Sequence, residues 1–125
     1  MASSPFADYD VETCLERIRT RNERINAVLH VVEPRSSTEG PLRGVPYVLK
    51  DTWDTEGIVT TGGSWRHRAR VPATSSHAHR ALANAGAVLL GKSNLSDLAF
   101  STESDNHIRG PVRNPHDELR TGGGS

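Results

Sequence analysis

The 125-residue chain has the length of one domain, and its 15 basic and 15 acidic residues give a formal net charge of zero. A neutral chain gives no electrostatic reason to expect nucleic acid or an anionic membrane as a partner. Its hydrophobic fraction of 34% is low for a globular domain and leaves little apolar material for a core.

A helix and a strand are predicted in the first third of the chain. Residues 1–9 are polar and are predicted to be disordered. They lack the pattern of a signal peptide, and the sequence has no apolar run of membrane-spanning length. Together these features predict a cytoplasmic protein. Apolar residues at helical spacing predict an amphipathic helix over 10–24 with Asp10 as its N-cap. The single cysteine, Cys14, excludes an internal disulfide and is expected to be packed in that helix. A turn and a strand follow within 25–32, where His30 is interpreted as a hydrogen-bonded structural histidine.

The most informative stretch is residues 44–51, in which four large apolar residues run directly into Lys50. This pattern predicts a short buried strand that carries a primary amine to the end of a sheet. Burial disfavours the charged form of an amine, so Lys50 is a candidate base; the alternative is a lysine whose ammonium reaches water. The chain contains thirteen arginines and two lysines, Lys50 and Lys92. Because arginine does not lose its proton in proteins, a site that needs a neutral amine requires lysine.

The next elements predict an α/β arrangement. Residues 51–64 form a polar irregular segment, and the basic stretch 65–70 is interpreted as a solvated loop rather than a nucleic-acid contact. A helix is predicted from Ser75 or Ser76 to Ala85, ended by Gly86, and a buried strand over 87–90. Residues 91–94 are expected to turn into a short helix that runs through Phe100.

Two possible ligand motifs are rejected. Residues 86–93 have the sequence form of a phosphate-binding P-loop, but a helix precedes the first glycine, and an apolar, strand-forming run separates the two glycines. His77 and His79 are too few for a metal site without carboxylates at ligand spacing.

The end of the chain is the second informative region. Residues 114–117 predict a turn, and residues 120–125 form a glycine-rich stretch that ends at Ser125. Successive glycines allow backbone N–H groups to converge on an oxyanion, although the same composition is typical of a flexible linker.

Taken together, these segments resemble the amidase signature family. The matching segments lie within residues 41–125, at 41–51, 60–64, 85–94, 101–103 and 114–125, in the order found in the family. The resemblance implies an α/β/α sandwich with a mixed sheet, of which residues 1–125 are the N-terminal part of a single amidase domain.

The resemblance also implies a Ser–Ser–Lys triad that hydrolyses small-molecule amides to acid and ammonia without metal or cofactor. Lys50 matches the catalytic lysine of the family, and Ser125 matches the serine that relays the proton between that lysine and the nucleophile. The nucleophilic serine and the oxyanion-hole amides of the family lie beyond the position of Ser125, so these 125 residues are expected to be inactive by themselves. His79, where an aliphatic residue is usual, and Gly122, where proline is common, depart from the family pattern.

Two other functions remain open. The A subunit of a glutamine-dependent tRNA amidotransferase has the same motifs, and a non-catalytic binding domain derived from an amidase is the second alternative. Exposed sheet edges would favour self-association or pairing with another chain. The substrate and the residues that bind it are not indicated by the sequence.

An incomplete sheet with an exposed apolar face predicts marginal stability of the 125-residue chain. We expect a broad, low-midpoint transition when urea unfolding is followed by circular dichroism. A sharp, cooperative transition at high urea would contradict this prediction.

Overall fold

The computed structural model describes residues 9–35 and 39–124. Ser125 and nearly all of the predicted disordered segment, residues 1–9, lie outside the described residues. The main elements are α1 (Val11–Ile25), β1 (Val28–Val31), β2 (Pro46–Lys50), α2 (His77–Asn84), β3 (Val88–Ser93), β4 (Arg113–Asn114) and β5 (Asp117–Thr121).

The central element is β3, which pairs with β1 on one side and with β2 on the other. The β1–β3 pair is antiparallel and the β2–β3 pair is parallel, so the sheet is mixed. Val88 and Leu90 of β3 pack against α1, whereas Leu89 lies beside α2. Because successive side chains of a strand point to opposite faces, the two helices cover opposite sides of the sheet. This arrangement confirms the α/β fold with a mixed sheet; β4 and β5 form a separate antiparallel hairpin.

Helix α1 begins and ends at residues whose side chains and backbone suit those positions. The Asp10 carboxylate accepts a hydrogen bond of 2.9 Å from the backbone N–H of Thr13, as expected for an N-cap. Asn26 ends the helix in the left-handed conformation, with φ of 61°. The apolar face buries Leu15 against the sheet, with the half-buried Cys14 beside it, so the predicted packing of this cysteine is confirmed.

Helix α2 also has the predicted limits. Ser76 is its N-cap, and Gly86 follows its end with φ of 90°. A Cβ atom at Gly86 would lie 2.2 Å from the carbonyl oxygen of Glu39, so this position needs glycine for space as well as for conformation. His79 faces the sheet, where its Nδ1 shares a hydrogen bond of 2.8 Å with the Tyr47 hydroxyl.

The prediction for residues 91–100 is wrong. Strand β3 continues through Gly91 and Lys92 to Ser93, and only a single 3₁₀ turn, Asp97–Ala99, follows. Gly91 is needed for close packing rather than for a turn, because a Cβ atom there would lie 2.6 Å from the carbonyl oxygen of His30. Left-handed backbone at Leu98 and Ala99 prevents a regular helix. The rejection of the P-loop agrees with this structure, since residues 88–93 are a strand.

Among the described residues, one of the two ring nitrogens of His30 lacks the hydrogen bond that the sequence predicts. Its Nε2 is buried, and no hydrogen-bond partner for it is found within residues 9–35 and 39–124. Burial lowers the pKa of His30, because the charged imidazolium loses its water.

Within the described part of the chain, no further strand pairs with the outer edge of β1 or of β2. Val31 of β1 is 52% exposed and Val48 of β2 is 46% exposed. An apolar groove of about 490 Å³ lies between α1 and β2. No helix among the described residues has the length and apolar character needed to span a membrane.

The Tyr47–His79 contact predicts a loss of stability in mild acid. Burial lowers the pKa of His79 in the folded state below its ordinary value of 6.5, so the unfolded state binds the proton more readily. The free energy of unfolding is therefore highest above pH 6.5 and falls as the pH drops below that value, with His30 contributing in the same direction. We expect His79→Gln to reduce the slope between pH 7 and pH 5, measured by urea unfolding. The exposed His116→Gln is the control, and an equal slope in both variants would contradict the assignment.

Candidate active site

The polar groups of the candidate site lie where β2 and β3 end side by side. Within the parallel pair, Leu49 lies opposite Lys92, and Lys50 lies opposite Ser93. The two lysines of the chain are therefore placed at the same end of the sheet on neighbouring strands. The polar segment 51–64 begins there and folds back over this end.

Lys92 is completely buried, and its amine makes one ion pair and two hydrogen bonds within the protein. Its Nζ lies 3.2 Å from Oδ1 of Asp51 and donates hydrogen bonds of 2.9 Å each to the carbonyl oxygen of Trp53 and to the Thr60 hydroxyl. Burial lowers the pKa of Lys92, and the negative charge of Asp51 opposes this shift. Because its amine is surrounded by a carboxylate, a carbonyl and a hydroxyl of the protein, we assign Lys92 a structural role.

Asp51 is also completely buried and joins three parts of the chain. Its Oδ2 accepts hydrogen bonds from both the backbone N–H and the hydroxyl of Thr61, while Oδ1 faces Lys92. Its backbone N–H donates to the carbonyl oxygen of Ser93, and its own carbonyl accepts from the N–H of Gly62. Asp51 therefore anchors the start of the polar segment to β3 and to the Thr61–Gly62 turn.

The completely buried lysine is Lys92, whereas the sequence pattern predicted a desolvated Lys50. In this structure Lys50, at the end of β2, is half-buried. The scarcity of lysine indicated both positions, but the sequence contains no signal that Lys92 and Asp51 would meet across two strands. The buried cluster of Asp51, Lys92, Thr60 and Thr61 was therefore missed.

The glycine-rich end of the chain is held against residues 102–104. The N–H of Ser104 donates to the carbonyl oxygen of Gly123 at 2.9 Å. A Cβ atom at Gly124 would lie 2.6 Å from the carbonyl group of Thr102, so this approach requires glycine. This segment is thus ordered as far as Gly124, unlike a free linker, and Ser125 follows it outside the described residues.

A cavity of about 490 Å³ lies on the other side of β2, next to α2. It contains the Tyr47–His79 pair and is bordered by Glu33, Arg35 and Glu56. Lys50 is not among its lining residues. No group of three histidine, cysteine, aspartate or glutamate side chains that could hold a metal ion is found among the residues that the structure describes.

Comparison with known proteins identifies the family. The family model described as Amidase matches residues 10–125, so the chain belongs to the amidase family. It is 37% identical over 131 residues to the A subunit of the glutamyl-tRNA(Gln) amidotransferase of Nitratidesulfovibrio vulgaris (strain DP4), covering 95% of this chain and 27% of that protein. It is 39% identical over 116 residues to the AtzE subunit of the 1-carboxybiuret hydrolase of Pseudomonas sp. (strain ADP), covering 90% of this chain and 24% of the relative.

Solved structures agree with this assignment. The chain superposes on the A subunit of the glutamyl-tRNA(Gln) amidotransferase of Thermotoga maritima with a TM-score of 0.84 and 26% identity, covering 100% of this chain and 31% of that one. It superposes on 6-aminohexanoate cyclic dimer hydrolase, in complex with its substrate, with a TM-score of 0.81 and 28% identity, covering 91% and 25% of the two chains. The 125 residues thus span about a quarter to a third of the length of these relatives.

The hydrogen bonds of Thr61 predict a specific loss of stability. Its hydroxyl donates to Asp51 and accepts from the N–H of Gly63, so Thr61→Val leaves two buried polar groups without that partner. We expect the free energy of unfolding to fall by about 1–3 kcal/mol, measured by urea unfolding. The same change at the exposed Thr52 is the matched control, and an equal loss in both variants would contradict the role of the Thr61 hydroxyl.

Proposed function

We propose that the chain is the N-terminal part of an enzyme that hydrolyses carboxylic amides to acid and ammonia, with Lys50 as the base and Ser125 as the proton relay. The observation that supports this most strongly is the match to the amidase family over residues 10–125, which includes both positions. The relatives named above include hydrolases of small amide compounds, so we propose a small-molecule amide as substrate. We also keep the prediction that the protein works in the cytoplasm.

The proposed mechanism moves one proton along three side chains. The neutral amine of Lys50 accepts a proton from the Ser125 hydroxyl, which in turn accepts one from the nucleophilic serine. The activated oxygen attacks the amide carbonyl and forms a tetrahedral intermediate. Return of the proton to the nitrogen lets the C–N bond break, which releases ammonia and leaves the acyl-enzyme. Water then releases the acid by the same proton path. In the family pattern the nucleophile follows the position of Ser125, so the 125 residues alone are expected to release no ammonia.

The position of Lys50 in the structure is compatible with this role. It lies at the end of a strand and is half-buried, whereas Lys92 is completely enclosed by protein acceptors. A base has to reach a substrate or a relay group, so of the two lysines Lys50 is the one we propose as catalytic.

The experiment begins with sequencing the gene beyond the codon for Ser125 and expressing the complete reading frame. Ammonia release from a panel of aliphatic and aromatic amides is then measured. We expect Lys50→Met to lower kcat by at least about 10²-fold, the usual contribution of a general base. Arg66→Met, which removes an exposed cation from a loop, is the control. Retention of most activity by Lys50→Met would overturn the proposal.

A second candidate function is that of the A subunit of an amidotransferase. Its support is the 37% identity to the corresponding chain of the glutamyl-tRNA(Gln) amidotransferase over 95% of this chain. Two tests distinguish a stand-alone amidase from an amidotransferase subunit. Glutamine is included in the amide panel, and the neighbouring genes are searched for further subunits. Ammonia release from glutamine that depends on those subunits would favour the amidotransferase over a stand-alone amidase.

A third proposal, a non-catalytic domain that binds a partner or a second copy through its sheet edges, is suggested by the open edges of β1 and β2. Sedimentation of the purified 125-residue chain tests it. A stable dimer, combined with a reading frame that ends at Ser125, would favour this function over both enzymes.

A further inference from the structure

We propose that Lys92 is a positioning residue for Lys50. Its buried ion pair with Asp51 fixes the turn after β2, and this turn sets how the Lys50 amine is presented. The inference rests on the proposed catalytic role of Lys50, but it concerns a different residue and can be tested without activity.

The first step is the contact between Lys92 and the turn. The backbone N–H of Trp53 donates to the carbonyl oxygen of Lys50 at 2.9 Å, which closes a turn directly after the strand. The carbonyl oxygen of the same Trp53 accepts a hydrogen bond of 2.9 Å from Nζ of Lys92. The Lys92 ammonium therefore binds Trp53, and Trp53 is hydrogen-bonded to the backbone of Lys50. Loss of the ammonium would leave this turn tied to β3 through Asp51 alone.

The second step is the place of Asp51 inside that turn. Asp51 directly follows Lys50, and its side chain lies between the Lys92 ammonium and the Thr61 turn. A change in the position of Asp51 is therefore transmitted to Lys50 through one peptide bond. The end of β2 is therefore fixed by two sets of contacts, one to Lys92 of β3 and one to the Thr61–Gly62 turn.

The third step concerns what the charges contribute. Burying two charges costs free energy that their attraction repays only in part, so a buried pair is weak evidence for added stability. Apolar side chains of similar size could fill the same space. They could not donate to the carbonyl oxygen of Trp53 and the Thr60 hydroxyl, which Lys92 does from one atom. The ammonium therefore contributes to the positions of Trp53 and Thr60 rather than to the free energy of unfolding.

The choice of lysine fits this geometry. The three acceptors around Lys92 converge on a single nitrogen atom. An ammonium is a compact charge with three donors, whereas a guanidinium is a planar fork that spreads its donors over three nitrogens. In a chain with thirteen arginines, this is a position that arginine would not satisfy.

The test compares Lys92→Met with the double variant Asp51→Asn plus Lys92→Met. The single variant leaves a buried carboxylate unpaired and is expected to be strongly destabilised. The double variant removes both charges with little change in shape, so it is expected to fold. A matched control removes the exposed ion pair of the same loop, by Asp54→Asn plus Arg70→Met, whose atoms lie 2.7 Å apart.

Two readouts are measured on the complete protein expressed from the whole reading frame. Amide hydrogen exchange is followed at Trp53 and Gly62 and, for reference, at Val88. The rate of Lys50 acetylation is followed by peptide mass spectrometry, and Lys92→Met leaves Lys50 as the only lysine of residues 1–125. In the double variant we expect exchange at Trp53 and Gly62 to accelerate by about tenfold or more through local opening, with Val88 unchanged within about threefold. We expect Lys50 acetylation to accelerate by about fivefold or more as the same turn opens.

A role limited to stability predicts a different result. Exchange at Val88 would then accelerate as much as exchange at Trp53 and Gly62, and this outcome would overturn the proposal. Unchanged exchange at Trp53 or an unchanged acetylation rate at Lys50 in the double variant would overturn it as well. A Trp53 amide that is already unprotected in the unsubstituted chain, or acceleration of equal size in the Asp54/Arg70 control, would overturn it too. Failure of the proposed catalytic role is seen separately, as retained ammonia release by Lys50→Met in the complete protein.

Discussion

The parallel pairing of β2 with β3 determines where every polar group of the candidate site lies. This pairing places Lys92 opposite Leu49, one residue before Lys50, and it brings Asp51 within 3.2 Å of the Lys92 ammonium. The start of the polar segment after β2 is held by that contact. The Thr60–Thr61 segment folds back because the ion pair presents a carboxylate to Thr61 and an ammonium to Thr60. A parallel pair needs a long connection between its strands, and here that connection contains both the polar loop and α2.

The two lysines lie at one end of the sheet in different surroundings. Lys92 is enclosed by a carboxylate, a carbonyl and a hydroxyl, and the charge of Asp51 opposes the lowering of its pKa by burial. Lys50 is half-buried at the end of its strand, where a base could still reach another group. Desolvation is therefore not by itself the mark of a catalytic lysine. The acceptors around the amine decide whether its burial yields a base or a fixed cation.

The parts of the fold that could be predicted from the sequence are those encoded by neighbouring residues. Helix α1 follows from its apolar spacing and its Asp10 cap, and the limits of α2 follow from Ser76 and Gly86. The predicted strand over 87–90 is shorter than β3, because a lysine after an apolar run is typical of the end of a buried strand. The partner that allows Lys92 to be buried is Asp51, which lies far away in the sequence. The hairpin strand Asp117–Thr121 is polar and exposed, so it lacks the alternation that indicates a strand. Of the predicted site, the location of Lys50 at the end of a strand is confirmed; its catalytic role and that of Ser125 stay predictions.

The burial of Lys92 also determines how the folded chain responds to a protease that cleaves after lysine. The sequence offers such an enzyme only two peptide bonds, and the one after Lys92 lies in the central strand of the sheet, with partners on both sides. The bond after Lys50 lies where the edge strand β2 meets the following turn. The intact fold therefore presents at most one accessible cleavage point, whereas an unfolded chain presents two. The number of fragments in such a digest reports directly on whether the centre of the sheet is formed.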